Sequence, residues 1–188
     1  FDLSRAHFEL LAFVPLRYSS ADTLMFDPLA SLVSPLGYTL LHADLMHLFV
    51  NMAMLLAFGS AISRRMGELQ FLLLYSAGAL AGVLATSIYS PMSPVPVIGA
   101  SAAVSAMVGA ISRLALFPVQ GHPPPPPFHR QQTAISFILF WLVANLLFGL
   151  VPGEFLNISG RVAWEAHIGG FLIGAALIRR LDFRGLGY

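Results

Sequence analysis

Apolar residues in this chain gather into five long blocks, Leu45 to Ile62, Leu69 to Tyr89, Ser101 to Phe117, Thr133 to Val151 and Val162 to Ile178. Each approaches the roughly 20 residues that a helix needs to cross a bilayer core. Ahead of them, Phe1 to Leu41 mixes apolar patches, Phe8 to Val14 and Leu29 to Val33, with Pro15, Pro28, Pro35 and Gly37. Such spacing suits short helices lying along a membrane surface, broken too often to cross it. The pattern predicts an all-α polytopic membrane protein. It comprises a membrane-embedded interfacial region over 1–41, a transmembrane helical domain with five spans over 42–180, and a short cytoplasmic tail over 181–188.

Composition supports this class. Of 188 residues, 57% are hydrophobic and 10% charged, with mean hydropathy +0.77, too little polar surface for a soluble domain of this length. The net charge of +1 points to no acidic ligand, and no nucleic-acid partner is expected. Cysteine is absent, which excludes disulfides, a thiolate nucleophile and thiolate metal ligands. All ten basic residues are arginine, and their placement reports topology. If the helices alternate, Arg64, Arg65, Arg113, Arg130, Arg179, Arg180 and Arg184 share one side, against Arg5, Arg17 and Arg161 on the other. The positive-inside rule makes the first side cytoplasmic. The loop Gly121 to Arg130, with five consecutive prolines, then reads as a stiff cytoplasmic spacer. A further segment, a transmembrane helix, is expected ahead of Phe1. No inverted repeat of the transporter kind is visible.

With this topology, the unusual polar residues lie at the non-cytoplasmic helix ends. The first span opens with His42, His47 and Asn51, the third with Ser101, and the fifth with Glu165 and His167. Ser101 follows Gly99 where a proline-broken loop gives way to a helix, and unpaired N–H groups there can stabilise an oxyanion. Ser101, Ser105 and Gly109 form one small-residue stripe and His167, Gly170 and Gly174 another, so the two helices can approach closely. Ser101 is thus a candidate nucleophile, His167 its general base, and His47 and Asn51 candidate oxyanion donors. Each has a structural alternative: serine commonly caps helices, and an intramembrane histidine or asparagine can be interhelical glue. Their convergence at one depth is what those separate explanations do not predict. Glu165, two residues from His167, points elsewhere and reads as interfacial and solvated, and Asp44 reads as an N-cap. Phe137, Phe140, Trp141 and Phe148 read as facing lipid or neighbouring helices.

In three separated blocks the chain resembles the rhomboid family of intramembrane serine proteases. They are His42, His47 and Asn51; Gly99 and Ser101; and Ala166, His167, Gly170 and Gly174. The resemblance implies a six-helix core whose first helix precedes Phe1, with Phe1 to Leu41 as the embedded first loop. It implies a catalytic Ser101–His167 dyad without an acid, an oxyanion site using His47 and Asn51, and supporting roles for His42, Gly99, Gly170 and Gly174. It also implies a lateral gate at the Thr133–Val151 helix, a cap over Pro152 to Arg161, and single-pass substrates with small residues before the cut. No metal or cofactor is implied. A metal site using His42, His47 and His167 is the less favoured alternative, since no carboxylate or thiolate converges with them. The expected location is a bacterial inner membrane, with the site towards the non-cytoplasmic side.

The chain departs from the family at Ala102 and Ala106, where glycine is usual, and at Ser105, where many members carry tyrosine. The first loop also lacks a tryptophan-arginine pair. The added methyl groups are expected to loosen the approach of the two helices, and His167 is expected to be held by packing alone or by the Ser105 hydroxyl. The alternative function is a catalytically inactive relative that binds transmembrane clients.

Overall fold

A computed structural model describes residues 3–117, 128–150 and 162–181. The proline run, the expected cap over Pro152 to Arg161 and the tail from 182 onwards lie outside them. Short helices open the fold: α1 (Leu3–Leu11), a 3-10 turn (Pro15–Tyr18), α2 (Ala21–Phe26), α3 (Pro28–Gly37) and a second 3-10 turn (Tyr38–Leu40). Ser20 and Thr23 form a capping box at α2, and the Asp27 carboxylate accepts from the Ala30 N–H at α3, with Pro28 in the first turn. These caps satisfy N–H groups that a helix end leaves unpaired. Pro35 does not break α3, which runs through it. Lacking an N–H, Pro35 leaves the Ser31 carbonyl without its helical donor, and the Tyr18 hydroxyl donates to that oxygen at 2.7 Å instead.

Five longer helices follow. α4 (Leu45–Met66) contains a π-helical turn over Leu55–Gly59 and is capped by Asp44, whose carboxylate accepts from the His47 N–H at 2.7 Å. Gly67, at φ 100°, turns the chain into α5 (Glu68–Tyr89). α6 (Ser101–Leu116), α7 (Phe128–Leu150) and α8 (Trp164–Leu181) complete the bundle. Two of the five expected spans, α4 and α5, are long and apolar enough to cross a bilayer on length and composition alone. α6 has 16 residues, a rise of about 24 Å against a core of about 30 Å. α8 carries Glu165, Arg179 and Arg180 within its own length.

α6 is the central helix: every residue from Ala102 to Ala110 is buried. A side chain at Gly109 would collide with the Phe171 carbonyl, one at Gly170 with the Ala102 carbonyl, and one at Gly174 with the Ala106 carbonyl. Backbone of α6 therefore lies directly on backbone of α8, as small-residue stripes permit. The methyl groups of Ala102 and Ala106 do not loosen this contact. They point away from α8 into α5, where Gly82 and Gly78 leave room for them. Ile62, Met66, Leu74, Met107 and Ile178 close the core towards the other end of the bundle. Leu56, Leu72, Leu84 and Phe140 stand exposed around it, the distribution expected of helices solvated by lipid.

The opening segment is stitched to the loop before α6. Phe13 and Val97 exchange two backbone hydrogen bonds, of 3.2 and 2.7 Å, and the Leu16 N–H donates to the Ser93 carbonyl at 3.0 Å. The Gly99 N–H donates to the Tyr38 carbonyl at 2.9 Å, while the buried Tyr38 hydroxyl donates to the Ala79 carbonyl of α5 at 3.0 Å. The backbone leading into Ser101 is thus fixed from outside its own helix.

Candidate active site

Ser101 is the first residue of α6, with Ala100 at the N-cap position and no side-chain cap. The serine hydroxyl is therefore not spent on capping its own helix. Its Oγ lies 2.7 Å from Nε2 of His167, which stands in the first turn of α8. The backbone contacts at Gly170 and Gly174 set the spacing of α6 and α8 that lets these side chains meet, so both glycines act through packing.

The other ring nitrogen of His167, Nδ1, is hydrogen-bonded to Oδ1 of Asn145 on α7. Asn145 is buried, and its Nδ2 donates to the Trp141 carbonyl at 2.7 Å. That bond fixes which end of the amide faces the histidine: the acceptor does. An amide oxygen facing Nδ1 accepts from the tautomer protonated there, in which the lone pair of Nε2 faces Ser101, the form a general base requires. The expectation that packing alone or Ser105 would hold His167 is therefore replaced. Asn145 escaped the sequence reading, although a lone amide within an apolar helix is itself a signal, because polar groups inside a bilayer are costly.

His47 and Asn51 lie one turn apart on α4, and the Asn51 Nδ2 donates to the His47 carbonyl at 3.0 Å. The Ala43 N–H points at His47 Nδ1 at 3.4 Å, leaving Nε2 as the donor. Both side chains converge on the turn before Ser101: a Cβ on Gly99 would stand 2.8 Å from His47 Nε2 and 3.6 Å from Asn51 Nδ2. Gly99 holds φ +108°, a conformation L side chains rarely adopt. Its glycine is therefore demanded twice, by backbone conformation and by the ring beside it.

His42 packs edge-on against His47, with centroids 5.1 Å apart, and burial pushes its imidazole below the ordinary histidine value. It backs the ring of His47 and does not reach Ser101. No group of three or more His, Asp or Glu side chains gathers at metal-binding spacing among the described residues. Glu165 is 5% exposed, which corrects the expectation of a solvated role. It leaves α8 on the side opposite His167, as two residues of helical rotation require, but that side is packed within the bundle. Trp141 faces a neighbouring helix, stacking on Phe171 of α8 at 4.9 Å, while Phe140 is exposed.

A serine hydroxyl hydrogen-bonded to an imidazole, beside amide and imidazole donors at the half-buried start of a helix, is an arrangement suited to acyl transfer. The family model of the Rhomboid domain matches residues 29–181. Rhomboid protease GluP of Bacillus subtilis is 33% identical over 140 residues, covering 73% of this chain and 24% of that protein. Rhomboid-related protein 2 of Mus musculus is 29% identical over 149 residues, covering 76% of this chain and 45% of that protein. The chain thus spans less than half the length of these curated relatives.

Proposed function

Because this integral membrane protein belongs to the rhomboid family, we propose that it is an intramembrane serine endopeptidase, cleaving substrates in or near a membrane-spanning helix. The observation that carries this reading is the 2.7 Å separation of Ser101 Oγ and His167 Nε2. Ser101 Oγ attacks the scissile carbonyl carbon while its proton passes to His167 Nε2. The resulting oxyanion accepts hydrogen bonds from the Ser101 N–H, His47 Nε2 and Asn51 Nδ2. Collapse of the tetrahedral intermediate expels the amine, which takes the proton from His167 and leaves a Ser101 ester. Water, deprotonated by the same imidazole, hydrolyses that ester and restores the enzyme.

The depth of the site follows from α6. Arg113, in its last turn, belongs at the cytoplasmic boundary. The 12 residues back to Ser101 (113 − 101) rise about 18 Å, which leaves Ser101 about 12 Å beneath the opposite face of a core about 30 Å thick. A substrate helix must unwind there, because an intact helix hides its scissile carbonyl. Substrates are single-pass proteins with small residues before the cut, admitted past α7. The segment 1–41 lies in the outer leaflet, 42–180 forms the catalytic domain and 181–188 is cytoplasmic. The location is a bacterial inner membrane with the site on the non-cytoplasmic side.

Co-expression with a panel of tagged single-pass proteins tests this. Fragments from at least one substrate with wild type and none with Ser101→Ala are expected. Equal fragments from both would remove Ser101 as nucleophile. A folded wild type that captures clients without cutting them would make the chain a client-binding member of the family.

A further inference from the structure

On the reading just given, we propose that Asn145 of α7 is a positioning residue for catalysis: its side-chain carbonyl holds the imidazole of His167 with the proton on Nδ1 and the lone pair of Nε2 aimed at Ser101. Three observations converge on this. Asn145 Oδ1 is the hydrogen-bond partner of His167 Nδ1. The amide cannot swap ends without placing its NH2 group against Nδ1 and its oxygen against the Trp141 carbonyl, which now accepts from Nδ2 at 2.7 Å. Asn145 is also buried, where a hydrogen bond to its amide oxygen is stronger than in water.

The placement is reinforced one turn along both helices. Trp141 and Asn145 are four apart on α7, and Phe171 and His167 are four apart on α8. Trp141 stacks on Phe171 with centroids 4.9 Å apart and planes at 24°, while Asn145 meets His167. The two contacts form rungs between antiparallel helices, so the aromatic pair registers the amide against the imidazole. The base is therefore oriented from a helix that carries neither the nucleophile nor the base. Displacing α7 from α8 strips His167 of the group that selects its tautomer, so the catalytic geometry exists only while α7 is seated.

The amide is neutral and does not share the charge that forms on the imidazolium. Its effect is confined to orientation and tautomer, which supports a cost below that of removing a triad carboxylate. Asn145→Leu keeps the volume and deletes the acceptor. It is expected to lower kcat on the order of 10²-fold with KM within about 2-fold. Asn145→Asp keeps an acceptor at the same place and is expected to retain activity within about 10-fold of wild type.

A measurement on the unmodified protein stands independently of how the variants fold. With 15N-labelled histidine in the full chain, and the His167 signals assigned by their loss in His167→Gln, Nδ1 is expected to be the protonated nitrogen and Nε2 the bare one. Wild-type His167 carrying its proton on Nε2 would overturn the proposal, as would full kcat in Asn145→Leu. Loss of cleavage in Ser101→Ala together with either of those results removes Asn145 alone. Retained cleavage in Ser101→Ala removes the underlying protease reading.

Discussion

Replacing Gly99 with alanine probes the oxyanion side of the site through one added carbon. Gly99 sits at φ +108°, where an L side chain costs about 1–3 kcal/mol. The new Cβ would stand 2.8 Å from both Cε1 and Nε2 of His47. Favourable carbon contacts begin near 3.5 Å, so the imidazole must retreat by about 0.7 Å. That displacement removes a donor from the narrow distance range in which an oxyanion is held, and losing one such donor lowers kcat on the order of 10²-fold. Gly99→Ala should therefore unfold about 1–3 kcal/mol more easily and turn over about 100-fold more slowly. The assay is kcat on a single-pass substrate in proteoliposomes, alongside chemical unfolding in detergent. A double-mutant cycle isolates the cause: with His47→Ala already in place there is no ring to displace, so adding Gly99→Ala should lower kcat less than about 3-fold further. The corresponding coupling is about 2 kcal/mol. Independent, multiplicative losses in the cycle would refute the argument that Gly99 acts by seating His47.

The remaining predictions concern packing. Gly174→Ala sets a methyl against the Ala106 carbonyl and should destabilise the bundle by about 1–3 kcal/mol, read as a lower thermal midpoint; an unchanged midpoint would contradict backbone contact between α6 and α8. Ala102→Gly empties the space facing Gly82 and should cost about 1–2 kcal/mol of stability, from one buried methyl and glycine's helix penalty, with cleavage retained; a more stable variant would contradict the placement of that methyl. Tyr18→Phe removes the donor to the Ser31 carbonyl and should cost about 1–2 kcal/mol. Pro35→Ala restores an N–H to that carbonyl, so in its presence Tyr18→Phe should cost less, and equal costs in both backgrounds would show that the two residues do not share the acceptor.

The long helices were legible because uninterrupted apolar runs have few other uses, although α4 continues past Ile62 to Met66 and α7 starts at Phe128, ahead of Thr133, where polar residues at the helix ends hide the boundary. Asp44 was legible as a cap from its place before Leu45. Ser101 and His167 could be paired because both are polar, stand at helix starts and sit on stripes of small residues. Asn145 was not found because an amide in an apolar helix has no characteristic spacing, and its meaning depends on which helix it faces. The same missing information misplaced Glu165 and the methyl groups of Ala102 and Ala106. Spacing along one helix gives an angle about its axis, but it does not say whether α5, α8 or solvent lies in that direction. Pro35 was read as a break, although a proline near a helix end costs one hydrogen bond that a neighbour can replace, and Tyr18 does so.

The central claim is that the Ser101 hydroxyl is activated by the His167 imidazole. Exposing purified wild type, Ser101→Ala and His167→Ala in nanodiscs to a fluorophosphonate, then weighing the intact chains, tests it most directly. The account predicts a single adduct, on Ser101, in wild type and none in either variant over the same time, with all three chains folded. A folded wild type that takes up no adduct, or a His167→Ala variant labelled as fast as wild type, would contradict it.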